Sequence, residues 1–99
     1  MLYAIISEDV KDSLGKRQAA RGAHIKRLKQ MVEQDRVIVA GPHPIEDSED
    51  PAEPGFSGSL IIAQFDSLEQ ARAWANDDPY VTAGVYKKVT VKPFKKLLP

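Results

Sequence analysis

The most informative segment of the chain is the run Gly58-Ser59-Leu60-Ile61-Ile62-Ala63-Gln64-Phe65. Its aliphatic and β-branched residues, bounded by glycine and serine, are typical of a β-strand. A strand with one solvent-exposed side alternates apolar and polar residues, but Leu60–Ala63 is apolar at four successive positions. We therefore expect this strand to be buried on both sides, in a sheet that is covered on both faces.

The rest of the chain supplies three more strands and two main helices. The predicted strands span Leu2–Ser7, Arg36–Ala40 and Val85–Val91, each an apolar or β-branched run next to turn signals or charged residues. The first helix begins at an N-cap candidate, Asp12 or Ser13, and runs to about Gln34, because its apolar residues recur at helical spacing. The second helix follows Ser67, with Gln70 three positions later as in a capping box.

Turn signals separate these elements. Gly41-Pro42 is predicted to end the second strand, and Pro93-Phe94 to begin the tail. Asp78-Pro79 predicts the start of a short helical segment that ends at Gly84. Residues 43–57 carry three prolines without periodicity, so they are predicted to form a long loop.

The predicted order of elements is β-α-β-β-α-β, which is that of the ferredoxin-like fold. This α+β fold packs two main helices on one face of a four-stranded antiparallel sheet and leaves the other face bare. Because Leu60–Ala63 is apolar on both sides, we predict that two such sheets meet face to face in a homodimer.

Length and composition narrow the classes of function. Ninety-nine residues predict a single domain, residues 1–99. Fourteen basic and fourteen acidic residues give zero formal net charge, which argues against nucleic acid or an anionic membrane as the main partner. The absence of cysteine excludes disulfides, zinc–thiolate sites and thiol nucleophiles. No apolar run is long enough for a signal peptide or a spanning helix, so we expect a cytoplasmic protein.

The long helix carries polar residues where apolar ones are expected. On a helical wheel Arg21 falls inside the apolar arc, and Arg17 and His24 lie at its edge. Since a buried guanidinium must be paired, two explanations are open. One is a pocket that binds an anion or a carbonyl group, with His24 as general acid or base. The other, favoured by spacing alone, is a structural ion pair beside a hydrogen-bonded histidine.

An acid–base histidine needs a carboxylate on one ring nitrogen to orient it. Asp78 is the best candidate for His24, and Asp77 competes with it. The simpler alternative makes Asp78 only the N-cap before Pro79, although a carboxylate has two oxygens and can serve both purposes.

Other residues are candidates for the same pocket. Backbone N–H groups at Gly41-Pro42 and Gly58-Ser59 could hold an oxyanion, although ordinary turn geometry explains these residues as well. Tyr80 either lines the pocket or packs in the core. His43 is predicted to be a loop residue.

Metal and cofactor sites are not expected. The two histidines lack metal-ligand spacing. The acidic residues of the predicted loop lack the order of a calcium-binding loop and are predicted to be solvated; they are Glu46, Asp47, Glu49, Asp50 and Glu53. No glycine pattern of a phosphate-binding or dinucleotide-binding loop occurs, so no cofactor is predicted.

Several short motifs, in this order, resemble the family of YCII-related proteins over essentially the whole chain. They are Met1-Leu2-Tyr3, Lys16-Arg17 with Arg21 and His24, Ala40-Gly41-Pro42, Gly55-Phe56-Ser57-Gly58-Ser59, Asp78-Pro79-Tyr80, Ala83-Gly84-Val85-Tyr86 and Val91-Lys92-Pro93-Phe94-Lys95-Lys96. The resemblance implies a dimeric α+β barrel with a site around a His–Asp pair, here His24 and Asp78, beside Arg17 and Arg21. Relatives of this fold include muconolactone isomerases, and some family members are associated with elimination on chlorinated hydroxyquinols.

Three hypotheses follow. In the first, the protein is a small cofactor-independent enzyme that isomerises or eliminates on a small, aromatic or carbonyl-bearing substrate. His24 moves the proton, Asp78 orients it, Arg17 or Arg21 holds substrate charge, and the binding site is completed by Gly41, Pro42, Ser59 and Tyr80. In the second, the same pocket of a dimer binds or senses a small anion without turnover. In the third, the pair is only a buried hydrogen bond in a structural oligomer.

Overall fold

The computed structural model describes residues 1–50 and 55–99 and confirms the α+β, βαββαβ ferredoxin-like fold. Its elements are β1 (Leu2–Asp9), α1 (Leu14–Glu33), β2 (Val37–Pro44), β3 (Phe56–Gln64), α2 (Leu68–Asn76), α3 (Pro79–Thr82) and β4 (Tyr86–Phe94). The strands form one antiparallel sheet in the order β2-β3-β1-β4. In the described part of the chain, none of the helices has the length and apolarity that crossing a membrane requires.

The hydrophobic core lies between the two central strands and the helices. Successive side chains of a strand point to opposite faces of the sheet. The register sets Tyr3 opposite Ala63 and Ile5 opposite Ile61, so these residues share one face. These four side chains are buried, together with Met31, Phe65, Ala71 and Ala75. The core therefore fixes the helical face of the sheet, on which the candidate site is built.

The strands are longer than the sequence predicts. Gly41-Pro42 does not end β2, which continues to Pro44, and β4 includes Pro93. Both are edge strands, and an edge strand tolerates proline because one row of its backbone groups has no partner strand. The predicted loop over residues 43–57 is shortened at both ends, since β3 already begins at Phe56. Residues 51–54, with Pro51, Glu53 and Pro54, lie outside the described residues.

All three helices begin at an N-cap that the sequence predicts, and in two of them the side chain of that residue makes the capping hydrogen bond. The Ser67 hydroxyl accepts a hydrogen bond from the Gln70 backbone N–H at 3.1 Å, as the capping-box pattern predicts. Asp78 caps α3 through the backbone N–H of Tyr80 at 2.9 Å. Ser13 occupies the N-cap position of α1, but its side chain makes no capping bond. Its hydroxyl donates instead to the carboxylate of Asp9 at 2.6 Å.

The face of the sheet opposite the helices is apolar along β1, β3 and part of β2. By the strand register it carries Leu2, Ala4, Ile6, Leu60, Ile62 and Val39 there, whereas the edge strand β4 adds Thr90 and Lys92. Within one chain Ile61 and Ala63 are buried on the helical side, whereas Leu60 and Ile62 on this open face are half-buried. A partner that covers the open face stays a prediction.

Candidate functional site

The site is centred on a buried pair formed by His24 of α1 and Asp78 at the start of α3. The Nδ1 atom of His24 lies 2.8 Å from Oδ1 and 2.9 Å from Oδ2 of Asp78. Since an ionised carboxylate only accepts hydrogen bonds, Nδ1 carries the hydrogen of this bond, and in the neutral ring Nε2 then has the lone pair. Asp78 serves both purposes considered for it, because Oδ1 also caps α3. Asp77 is exposed and is not the partner.

Tyr80 holds the imidazole from one side. The two rings are stacked with centroids 3.9 Å apart and an angle of 7° between their planes. Tyr80 is buried, and burial raises the pKa of its phenol, although the charges of Arg17 and Arg21 oppose the shift. His24 is thus fixed by one hydrogen-bonded edge and one packed face.

Arg17 is the buried cation of α1. Its Nε donates to Oδ2 of Asp9 at 2.6 Å, and its Nη2 donates to Oδ1 of Asp9 and to the carbonyl of Gly58, each at 3.0 Å. Burial alone lowers the pKa of Arg17, but the hydrogen bonds and charge of Asp9 outweigh it and raise that pKa above its ordinary value. The structural ion pair, one of the two explanations left open by the sequence, is present.

Three aromatic rings surround the same guanidinium. Its central carbon lies 5.1 Å from the ring centre of Phe56, 5.2 Å from that of Tyr80 and 5.9 Å from that of Tyr86. These distances are within the range of cation–π attraction. Arg17 therefore joins α1 to β3, α3 and β4 behind the histidine.

The helical wheel misplaced the buried side of α1. Its buried residues are Arg17, His24 and Met31, seven positions apart, whereas Arg21 is exposed. The helical wheel places the buried side of α1 where its apolar residues cluster, which assumes that the most apolar side chains point inward. Paired polar side chains face the core instead, because Asp9 and Asp78 supply their hydrogen bonds.

A cavity of about 590 Å³ opens in front of His24. It brings together seven of the eight predicted site residues: Arg17, Arg21, His24, Gly41, Pro42, Ser59 and Tyr80. Asp78 is the eighth; it is not part of the cavity wall and contacts the site through its bond to His24. Most of the remaining wall is apolar and consists of Leu14, Ile25, Leu28, Ala40, Phe56 and Ile61. A small, mostly apolar ligand with a few polar atoms fits such a wall.

Arg21 is the cavity-lining cation whose charge is available to a ligand. No hydrogen bond or ion pair of its side chain occurs within residues 1–50 and 55–99. Arg17 also reaches the cavity, but Asp9 compensates its charge. Of the two arginines predicted to hold substrate charge, Arg21 therefore has the free guanidinium.

The oxyanion site considered from the sequence stays a prediction. Gly41 lies opposite Leu60 on the edge strand β2, and Pro42 has no N–H to donate. Gly58 is needed for packing, because a Cβ atom there would collide with the carbonyl oxygen of Ser7. Ser59 lies beside it with its hydroxyl 2.8 Å from that of Tyr86. Burial raises the pKa of Tyr86 to about 12, partly opposed by the hydrogen bond to Ser59.

Sequence reasoning missed Asp9 and Tyr86. Asp9 ends β1 and so looked like a strand boundary, and Tyr86 looked like an ordinary strand residue. Only the antiparallel pairing of β1 with β4, which sets Asp9 opposite Tyr86, brings them to the site. Among the described residues, no group of three or more acidic or histidine side chains lies close enough together to hold a metal ion.

Comparisons with known proteins agree on one family. The YCII-related domain matches residues 1–95. Protein YciI from Escherichia coli O6:H1 and from Shigella flexneri are each 55% identical over 97 residues, covering 98% of this chain and 99% of theirs. A protein of Haemophilus influenzae is 52% identical over the same length.

Among the solved structures with this fold is that of 5-chloro-2-hydroxyhydroquinone dehydrochlorinase (TftG) from Burkholderia phenoliruptrix AC1100, in complex with 2,5-dihydroxybenzoquinone. The TM-score is 0.82 and the sequence identity 24%, over 96% of this chain and 94% of the other.

Proposed function

The chain belongs to the family of YCII-related domain proteins, and from that membership and the geometry around His24 we propose that it is a small acid–base enzyme. Its substrate is a small ring that bears carbonyl or hydroxyl groups, and the reaction is an isomerisation or an elimination. The observation that carries the proposal is the bond of His24 Nδ1 to both oxygens of Asp78 at the wall of a cavity.

The proposed chemistry uses the free nitrogen of His24. Nε2 takes a proton from an O–H or C–H bond of the bound ring, and the imidazolium so formed is stabilised by the Asp78 carboxylate. In an isomerisation the same nitrogen returns the proton to another atom of the ring. In an elimination the electron pair expels an anionic leaving group, and the proton passes to solvent.

The fold of TftG supports this class of substrate. That protein is named for dehydrochlorination of a hydroxylated, chlorinated hydroquinone, and its complex holds a dihydroxybenzoquinone. A ring of that size suits the apolar wall around His24. The compartment we propose is the cytoplasm, as predicted from the sequence.

Arg21 is proposed to bind the negative charge of the substrate, which gives a first test of ligand class. The probe is 2,5-dihydroxybenzoquinone, a vinylogous acid that is anionic at neutral pH. Wild-type protein is expected to bind it saturably, and Arg21→Gln to weaken binding by about 10–100-fold, as for one hydrogen bond to a charged group. Titration calorimetry or the visible absorption of the quinone measures both.

The matched control is Arg72→Gln, which removes an exposed cation of α2 outside the cavity. We expect it to bind the probe as the wild type does. Equal affinity of Arg21→Gln and the wild type would refute the role of Arg21. Absence of saturable binding to the wild type would count against a quinone-like ligand.

We also propose that two copies pair through the apolar open face of the sheet. Ile62→Lys places a charge at the centre of that face and is expected to convert a dimer into a monomer in sedimentation velocity. Ala73→Lys, at an exposed position of α2, is the control and should leave the dimer intact. A wild-type protein that sediments as a monomer at micromolar concentration would contradict the proposal.

A further inference from the structure

A hydrogen-bonded pair of hydroxyl groups lies on the strands β3 and β4, away in sequence from the helix α1 that carries His24. Ser59 of β3 lines the cavity and is 5% exposed, and its hydroxyl lies 2.8 Å from the phenol of Tyr86 at the start of β4. Tyr86 itself does not line the cavity. It contacts residues of the cavity wall through the Ser59 hydroxyl, the Arg17 guanidinium and the ring of Tyr80, whose centre lies 5.6 Å from its own.

The chemistry of the neighbours of Tyr86 favours its phenol as the donor of this hydrogen bond. A phenol is a stronger donor than an aliphatic hydroxyl because it is more acidic. The guanidinium of Arg17, whose central carbon lies 5.9 Å from the ring centre, carries only donors. The phenol oxygen lies 2.8 Å from Ser59 Oγ, and the Ser7 hydroxyl is a second polar neighbour, whose hydrogen bonding lowers the pKa of the phenol. Tyr86 also keeps its proton at neutral pH, because burial raises its pKa to about 12.

A serine hydroxyl that accepts from a phenol still has its own hydrogen to donate. No protein acceptor for that hydrogen occurs among the described hydrogen bonds of Ser59. We infer that Tyr86 is a positioning residue, which by donating to Ser59 Oγ turns the Ser59 hydroxyl hydrogen into the cavity, where it donates to a ring oxygen of the ligand. This inference rests on the proposed function, since it concerns the same cavity.

His24 and Ser59 would then have different roles toward the same ligand. Nε2 of His24 is a base, and the Ser59 hydroxyl is a donor held in one orientation. A carbonyl or phenolate oxygen that gains negative charge when His24 removes a proton would meet that donor. The ligand therefore needs an oxygen acceptor for Ser59 in addition to the proton that His24 removes, as quinones and hydroxyquinols have.

A double-mutant cycle on binding of 2,5-dihydroxybenzoquinone tests the inference. Tyr86→Phe and Ser59→Ala are each expected to weaken binding by about 3–10-fold, the size of one neutral hydrogen bond. The double variant should bind no more weakly than Ser59→Ala, because Tyr86 acts through Ser59. Tyr3→Phe, which removes a buried phenol of the core, is the control and should leave affinity unchanged. Additive losses, or no loss in Tyr86→Phe, would overturn the inference.

A readout without ligand separates this inference from the proposed function. In protein with isotope-labelled tyrosine, a Tyr86 hydroxyl that donates to Ser59 should give a slowly exchanging proton signal by NMR. Ser59→Ala should abolish that signal. If the signal depends on Ser59 but the wild type does not bind the quinone, the hydroxyl pair stands and the proposed ligand class fails. A signal that persists in Ser59→Ala would overturn the inference whatever the binding result.

Discussion

His24→Gln is expected to lower the rate of proton transfer by about 10²–10⁴-fold, the usual contribution of a general base. Glutamine can still hydrogen-bond to Asp78, but it has no basic nitrogen to aim into the cavity. The first substrate to offer is 5-chloro-2-hydroxyhydroquinone, for which the structural neighbour is named. Chloride release in single-turnover experiments, with enzyme in excess, measures the step directly.

The other histidine supplies the control. His43 lies exposed in β2 and does not line the cavity, so His43→Gln should keep the wild-type rate. A His24→Gln variant that is as fast as the wild type would contradict the acid–base function. A wild type that binds hydroxylated quinones and turns none of them over would favour the binding or sensing protein. His24→Ala is less informative, because leaving Asp78 unsatisfied costs about 1–3 kcal/mol of stability in an enzyme and a structural protein alike.

Asp9→Ala is expected to produce the largest loss of stability, about 3–5 kcal/mol, because it leaves the Arg17 guanidinium buried without its anion. The side chain of Asp9 is 1% exposed and that of Arg17 is 7% exposed, so the pair is largely shielded from water. Three hydrogen bonds to the carboxylate disappear with it, two from Arg17 and one from Ser13. Urea unfolding followed by circular dichroism measures the free energy of unfolding.

Removing both charges is the comparison that isolates the cause. In Asp9→Ala combined with Arg17→Met no uncompensated charge remains, so the double variant should be more stable than Asp9→Ala alone. Glu69→Ala, at an exposed position of α2, should change the free energy of unfolding by less than about 0.5 kcal/mol. A loss below about 1 kcal/mol in Asp9→Ala would show that the pair is not held as the structure has it.

The order of elements could be predicted because each one leaves a local pattern. The capping serine at Ser67, the Asp78-Pro79 start and the apolar run in β3 all depend on residues within a few positions of one another. Strand ends were predicted less well, because whether a proline stops a strand depends on whether that strand lies at an edge of the sheet. Strand order is a property of the whole fold, and Pro42 carries no sign of it.

The candidate site could be predicted where one helix carried the signal. Arg21 interrupts the apolar arc of α1, with Arg17 and His24 at its edge, and Asp78 is predicted because a histidine base needs a carboxylate. The wheel exchanged the positions of Arg17 and Arg21, since it ranks side chains by polarity and ignores their partners. Asp9 is that missing partner, and it reaches Arg17 through tertiary packing that periodicity does not encode.

We propose that Asp78 fixes His24 with hydrogen on Nδ1 and with the lone pair of Nε2 directed into the cavity. The most direct measurement is a long-range ¹H–¹⁵N correlation spectrum of the histidine rings at a pH where His24 is neutral, for wild type and Asp78→Asn. We expect the wild type to show a single tautomer with hydrogen on Nδ1, and the Nε2 signal to shift when 2,5-dihydroxybenzoquinone is added. Asp78→Asn should lose this single tautomer. Hydrogen on Nε2 in the wild type, or a spectrum that Asp78→Asn leaves unchanged, would contradict the claim.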